Sequence, residues 1–91
     1  MSVRVLIPTV LRRATQGLSE VRLAGSTIAE CLEDLEAQFP GIRDRLCDES
    51  GEIRRFVNIF VNGEDVRFLT GKATPVRAGD EVSIVPAVAG G

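Results

Sequence analysis

The sequence predicts an α+β domain in which a mixed sheet packs on one main helix. Three observations lead there. Five short runs carry strand patterning, at 3–7, 19–23, 55–61, 64–68 and 81–86. Only one stretch, 27–39, carries apolar residues at helical spacing. The chain has 91 residues, the size of one domain. A single amphipathic helix has to bury its apolar stripe, so it covers one face of the sheet. The first and last strands are then free to pair at the sheet centre.

In residues 3–7, Val3, Val5 and Ile7 share one face and Arg4 and Leu6 the other, until Pro8 ends the run. Residues 19–23 alternate again, with Val21 and Leu23 on one side and Glu20 and Arg22 on the other. The two strands form a hairpin. Its connection, PTVLRRATQGL, exceeds the usual loop of about two to five residues and is either a contact surface or a tolerated insertion. Gly25-Ser26 breaks the second strand. Thr27-Ile28-Ala29-Glu30 then fits a capping box: Thr27 accepts from the Glu30 amide, and the Glu30 carboxylate reaches back to the Thr27 amide. Ile28, Cys31, Leu32, Leu35 and Phe39 line one helix face, while Glu33, Asp34 and Glu36 take the wet side. Pro40-Gly41 stops the helix. Residues 42–46 allow one short turn, and DESGE (48–52) is a polar loop. RFVNIFV (55–61) is the clearest strand, and Asn62-Gly63 is a strong hairpin signal. EDVRF (64–68) reads as the return strand. Residues 70–77 are irregular, Ala78-Gly79-Asp80 is a turn, and EVSIVP (81–86) is the last strand, with Val82 and Ile84 inward. The domain therefore spans 1–86, and 87–91 form a flexible C-terminal tail.

Composition narrows the chemistry. With 44% hydrophobic and 26% charged residues the chain is neither disordered, collagenous nor a disulfide scaffold. It has no histidine, which excludes a Ser-His triad and a His-bearing zinc site. Eleven basic residues against 13 acidic ones leave a net charge of −2, without the basic footprint of a nucleic-acid binder. No run approaches the roughly 18 apolar residues that span a membrane, and MSVRVLIP is too short and lacks the cleavage site of a secretory signal. A cytoplasmic location is expected. Cys31 and Cys47 form no CxxC and read as buried free thiols. Glu64-Asp65 point to opposite faces of a strand, so they do not make an acid/base couple. Arg12-Arg13 and Arg54-Arg55 read as solvated basic pairs. Gly71 and Gly79 belong to no phosphate-binding pattern.

The chain ends in Gly90-Gly91. At average glycine usage that ending arises by chance in about 0.5% of chains, and its placement adds weight. It follows directly from a strand expected at the sheet centre, so the tail projects from a rigid base. Glycine has no Cβ, and such an end threads a narrow channel in a partner enzyme, where the terminal carboxylate becomes the reacting group. A carboxylate is a poor acyl donor until its oxygen becomes a good leaving group. This chain has neither a nucleotide-binding motif nor a nucleophile-base pair, so a partner has to activate it with ATP. No bound cofactor is expected.

The strand order, FPGIRDRL after the helix, RFVNIFVNGEDVRF and TGKATPVRAGDEVSIVPAVAGG together resemble the ubiquitin-like sulfur carriers of the MoaD/ThiS group. With the IPTVLR start, the resemblance covers essentially the whole chain and is strongest to the branch that serves cysteine biosynthesis. It implies the β-grasp fold and a carrier that is not itself an enzyme. It also implies that an E1-like adenylyltransferase/sulfurtransferase forms an acyl-adenylate at Gly91 and then a thiocarboxylate, with Ala87, Val88, Ala89 and Gly90 entering partner active sites. In the cysteine branch a dedicated cysteine synthase uses the thiocarboxylate with O-phosphoserine, and a zinc metalloprotease releases the product. In the molybdopterin branch the carrier pairs with the molybdopterin synthase large subunit. In the thiamine branch the sulfur goes to the thiazole, but the chain departs from that branch by its length and its extended first hairpin loop.

A docking face follows from strand parity. Val57, Ile59 and Val61 share one face of their strand; Phe56, Asn58 and Phe60 share the other. If the β-branched set faces the helix, Phe56 and Phe60 lie outward, joined by Leu6 and Val85, as a partner-docking patch. Otherwise an aromatic folds over the sheet edge. Two other functional classes remain. One is a protein modifier conjugated through Gly91, although Lys72 is the only lysine and many self-lysine linkages are impossible. The other is a binding module with an inert tail, which would keep its function on loss of Gly90 and Gly91.

Overall fold

The first hairpin forms as the alternation requires. In the computed structural model, which describes residues 2–86, β1 (Val3–Leu6) pairs antiparallel with β2 (Glu20–Leu23). The ladder runs on past β1, because Ile7 N donates to Ser19 O at 2.8 Å. The long connection is ordered from within. It begins with a 3-10 turn at Thr9–Leu11 whose Leu11 is buried. The buried Thr15 hydroxyl donates to Leu18 O at 2.9 Å, and Arg12 Nε donates to Ile7 O at 3.1 Å.

Helix α1 (Ile28–Gln38) carries the expected stripe. Ile28, Cys31, Leu32, Leu35 and the capping Phe39 are buried, and burying a large aliphatic side chain is worth about 1.5–3 kcal/mol. Its N-terminus corrects the expected capping box. Thr27 Oγ1 does accept from Glu30 N, at 3.2 Å. The return arm, however, lands one residue earlier: Glu30 Oε1 accepts from Ser26 N at 2.7 Å and Ser26 Oγ at 2.8 Å, not from Thr27. The chain here is pinned by a second segment, as Ile28 N donates to Thr74 O and Val76 N to Ser26 O. Gly25 is needed for the close approach that follows, since a Cβ at this position would sit 2.9 Å from Cys31 N. After Pro40-Gly41 comes α2 (Ile42–Leu46), with Ile42 and Leu46 buried.

Strand β3 (Val57–Val61) begins two residues later than the pattern suggested, because Val57 N donates to Arg54 O in a turn. Asn62 and Gly63, at φ +50° and +88°, form the left-handed pair of a type I′ hairpin turn. The return strand is much shorter than expected: β4 is only Glu64–Asp65, and Val66–Phe68 winds into a 3-10 turn. A carboxylate oxygen of Asp65 accepts from Arg67 N at 2.8 Å, turning the backbone out of the ladder. A third 3-10 turn occupies Gly71–Ala73 within the irregular stretch. The last strand, β5 (Glu81–Pro86), lies at the sheet centre. It is parallel to β1 and antiparallel to β3, giving the order β2-β1-β5-β3-β4. The inward residues of β1, β2, β3 and β5 close on α1 in one core. No helix among the described residues is long and apolar enough to cross a membrane.

Candidate functional site

The outward sheet face follows the inferred parity. Val57, Ile59 and Val61 are buried in the core, which turns Phe60, the aromatic of β3, to the opposite face, while Phe56 lies in the turn just before the strand. Register then fixes their neighbours. Leu6 and Phe60 both lie level with Ser83, so the row Leu6–Ser83–Phe60–Asp65 crosses four strands on one face. With strands about 4.8 Å apart, Leu6 and Phe60 stand about 10 Å from each other. The small Ser83 stands between them. Val85, opposite Asn58, lies in the next row and is 44% exposed, and Phe56 beyond it is 53% exposed. Leu6 and Phe60 are half-buried. The structure thus brings Leu6, Phe60 and Val85 together, with Phe56 at the end nearest Pro86.

A groove lies between the ends of β1 and β5, on the side away from Phe60. Leu6, Ile7, Pro8, Val85 and Pro86 line this open groove of about 300 Å³, predominantly apolar. Pro86 is opposite Val57 and ends β5 inside the ladder, so the segment that follows starts from a fixed point. The expected reacting residue, Gly91, and the tail residues Ala87, Val88, Ala89 and Gly90 lie outside the described residues.

Two residues near this face carry more than their sequence pattern conveys. Phe68, read as part of the return strand, is 87% exposed at the sheet edge. Arg67 reaches back over β3. Its Nη2 donates to the carbonyls of Arg54 (3.0 Å), Arg55 (2.9 Å) and Val57 (2.8 Å), and its Nη1 to Asn58 Oδ1. That clamp fixes the turn that presents Phe56. For the turn that exposes Phe68 the signal was Asp65, whose carboxylate favours a local turn over a ladder; nothing in the sequence signalled the Arg67 clamp.

The side chains that could compete as nucleophiles are withdrawn. Burial raises the Cys31 thiol to about 11, with the carboxylates of Asp34 and Glu30 adding to the effect. Burial also raises Cys47, against the opposing pull of Lys72 and Arg43. Both thiols are therefore protonated at neutral pH. Lys72 Nζ donates to Gly51 O.

The profile of the ThiS family matches residues 5–91. The chain belongs to the ThiS family. Its fold is the ubiquitin-like β-grasp of the MoaD/ThiS sulfur carriers, a mixed five-stranded sheet on one main helix. This ThiS-family chain is 53% identical over 93 aligned positions to the sulfur carrier protein CysO of Mycobacterium tuberculosis, covering all of both chains. Among solved structures it is similar to the CysO of an Amycolatopsis orientalis BexX/CysO complex, with a TM-score of 0.92 and 46% identity over 98% of this chain and 99% of that one. It also resembles the small archaeal modifier protein 3 of Haloferax volcanii, at 44% identity over 66 residues, 72% of this chain and 71% of that one.

Proposed function

We propose that this protein is a sulfur carrier whose Gly91 carboxylate is activated and converted to a thiocarboxylate that donates sulfide, in cysteine biosynthesis from O-phosphoserine. A carboxylate oxygen of Gly91 attacks the α-phosphorus of ATP on an E1-like enzyme, and pyrophosphate leaves. A sulfide equivalent supplied by the sulfurtransferase then attacks the acyl carbon. The C–S bond forms, the C–O bond to AMP breaks, and AMP carries the electron pair away. The chain acts as co-substrate, while partner enzymes supply the nucleotide site and the chemistry. A cysteine synthase consumes the thiocarboxylate, and a zinc metalloprotease frees the new cysteine. The face of Leu6, Phe56, Phe60 and Val85 is the surface those partners hold while Ala87–Gly91 enters their channels.

The observation that carries this reading is the full-length, 53% identity to a protein named as a sulfur carrier. Strand β5 adds physical support: β1 holds it as far as Ser83, and β3 holds it up to Pro86 at the root of the tail. The similarity to a small archaeal modifier favours a second reading, in which Gly91 is joined to lysines of other proteins. Both readings require the same activated carboxylate, so the acceptor separates them.

The deciding measurement is intact mass after incubation with an E1-like enzyme, ATP and a sulfide source. The carrier reading expects replacement of one oxygen by sulfur at Gly91, dependent on ATP and abolished by deleting Gly90 and Gly91. Subsequent addition of O-phosphoserine and the cysteine synthase should give a carrier–cysteine adduct. Isopeptide products without any thiocarboxylate would favour the modifier. An unchanged mass with a competent enzyme would overturn both.

A further inference from the structure

The end of the sheet from which the chain leaves after Pro86 is basic, although the protein as a whole has a net charge of −2. Strands β1 and β5 are parallel and β3 opposes both, so the end of β1, the end of β5 and the start of β3 meet at one pole. The segments gathered there are 7–19, 53–57 and 82–86. They hold Arg12, Arg13, Arg54 and Arg55, and none of the chain's 13 acidic residues. Arg67 adds its guanidinium against the carbonyls of Arg54 and Arg55.

These arginines divide by what they touch. Arg12 Nε donates to Ile7 O, and Arg54 donates to Asp44 O through Nε (3.1 Å) and Nη2 (3.0 Å). Their guanidinium groups brace the pole. The side chains of Arg13 and Arg55 are exposed and make no hydrogen bond or ion pair among the described residues. Acidic residues border this end: Asp44 and Asp48 lie beside Arg54, Asp48 accepting from Ser50 N and Glu52 N, and Glu20, Asp65 and Glu52 lie near the gathered segments. Glu20, level with Leu6, faces Arg4 at 3.9 Å and Arg22 at 3.6 Å. Asp65 accepts from Arg67 N, and Glu52 lies just before the 53–57 segment. The acidic residues of α1, Glu30, Glu33, Asp34 and Glu36, sit on the layer behind the sheet. The uncompensated charge at this end of the sheet is therefore carried by the exposed guanidinium groups of Arg13 and Arg55.

We propose that this pole is a basic collar that docks on an acidic rim around the tail-binding channel of the activating enzyme, with Arg13 and Arg55 as its contact arms. The inference rests on the carrier reading above. An acidic rim attracts the collar and repels the acidic helix layer, so encounters are biased towards tail-first approach. Charge pairs at such a rim speed association without demanding slow release. That suits a carrier which visits one enzyme to be loaded and another to be emptied.

The test is the rate of thiocarboxylate formation on the full chain by the E1-like enzyme, measured against carrier concentration and salt. Arg13→Glu and Arg55→Glu together should lower kcat/KM at least about tenfold at low ionic strength. The rate at saturating carrier should stay unchanged, and the gap should close as salt rises from about 50 mM to about 500 mM. Arg13→Lys and Arg55→Lys, which keep the charge, should retain the wild-type value. Arg77→Glu, at the opposite end of the sheet, should change it less than about twofold. Circular dichroism should be native for all variants, since the side chains of Arg13 and Arg55 hold nothing among the described residues. Wild-type kcat/KM and salt dependence in the doubly reversed variant would overturn the collar while leaving the carrier reading intact. A wild-type chain that gains no thiocarboxylate would overturn the carrier reading, and the collar with it.

Discussion

Glu36 illustrates how a single exposed carboxylate can organise the chain. Its Oε2 accepts from Gly41 N and its Oε1 from Arg43 N, both at 2.9 Å, so one side chain ties the end of α1 to the start of α2. Those two amide donors hold its carboxyl below the ordinary value of 4.5, and Arg43 adds to the effect. Amide and hydroxyl donors do the same for Glu30 at the other end of α1, and for Asp48 and Asp80 in their turns. A carboxyl depressed in the folded state stabilises the fold above its unfolded value, and that contribution is lost as pH falls through the folded value. Thermal unfolding should therefore show a midpoint that falls between about pH 5 and about pH 3. In Glu36→Gln the midpoint should be lower at neutral pH, and its fall in acid shallower, because one of the titrating groups has gone. An acid profile identical to wild type would show that Glu36 is merely solvated.

At the scale of elements, the sequence conveyed what periodicity can encode. The inward residues of β1, β2, β3 and β5 and the stripe of α1 were all legible, because each repeats at its own period against one core. The central position of β5 was legible from topology, since a single helix covers one face only. Local polar competition was not. In EDVRF the alternation matches a strand, and Val66 faces inward in either conformation. The contest is decided by Asp65, whose side chain captures the Arg67 amide and turns the chain. The same limit applies to the capping box, where Glu30 bonds Ser26 because Thr27 and its neighbours are drawn onto the 74–76 segment. The tail differed again: its ending was legible as chemistry, while residues 87–91 lie outside the described structure. Arg67 is the element-level feature least visible in the sequence, since nothing in a lone arginine indicates three carbonyls gathered around it. Lysine offers one point charge in place of a planar fork. Arg67→Lys should cost about 1–2 kcal/mol of stability through the lost charge-assisted bonds, read from chemical denaturation. It should also increase hydrogen exchange at the Val57 amide. Unchanged exchange there would mean that the turn holds itself.

The whole molecule closes its edges and leaves one face open. On β2, the free edge is capped from α1: Gln38 Nε2 donates to Arg22 O at 3.2 Å, and Ala24 N donates to Asp34 Oδ2 at 2.8 Å. At the other side β4 is only two residues long before the chain turns away. Short or covered edges discourage strand addition, so a partner is directed to the outward face and to the segment beyond Pro86. Phe60 is the residue on which to test that inference, since it lies at the middle of the face and only half-buried. The substitution has to be chosen with its neighbour in view. Phe60→Asp would set a second carboxylate directly opposite Asp65, and facing like charges weaken a strand pair. Phe60→Thr removes the aromatic surface while keeping a residue suited to strands. Because the ring lies outside the core, the variant should lose no more than about 1 kcal/mol of stability. Its kcat/KM for activation should fall at least about tenfold, as expected when an aromatic anchor is taken from an interface. Phe56→Thr, nearer the root of the tail, should act in the same direction. If both variants are loaded as fast as wild type, the partner grips the protein elsewhere, and the open face is not its docking surface.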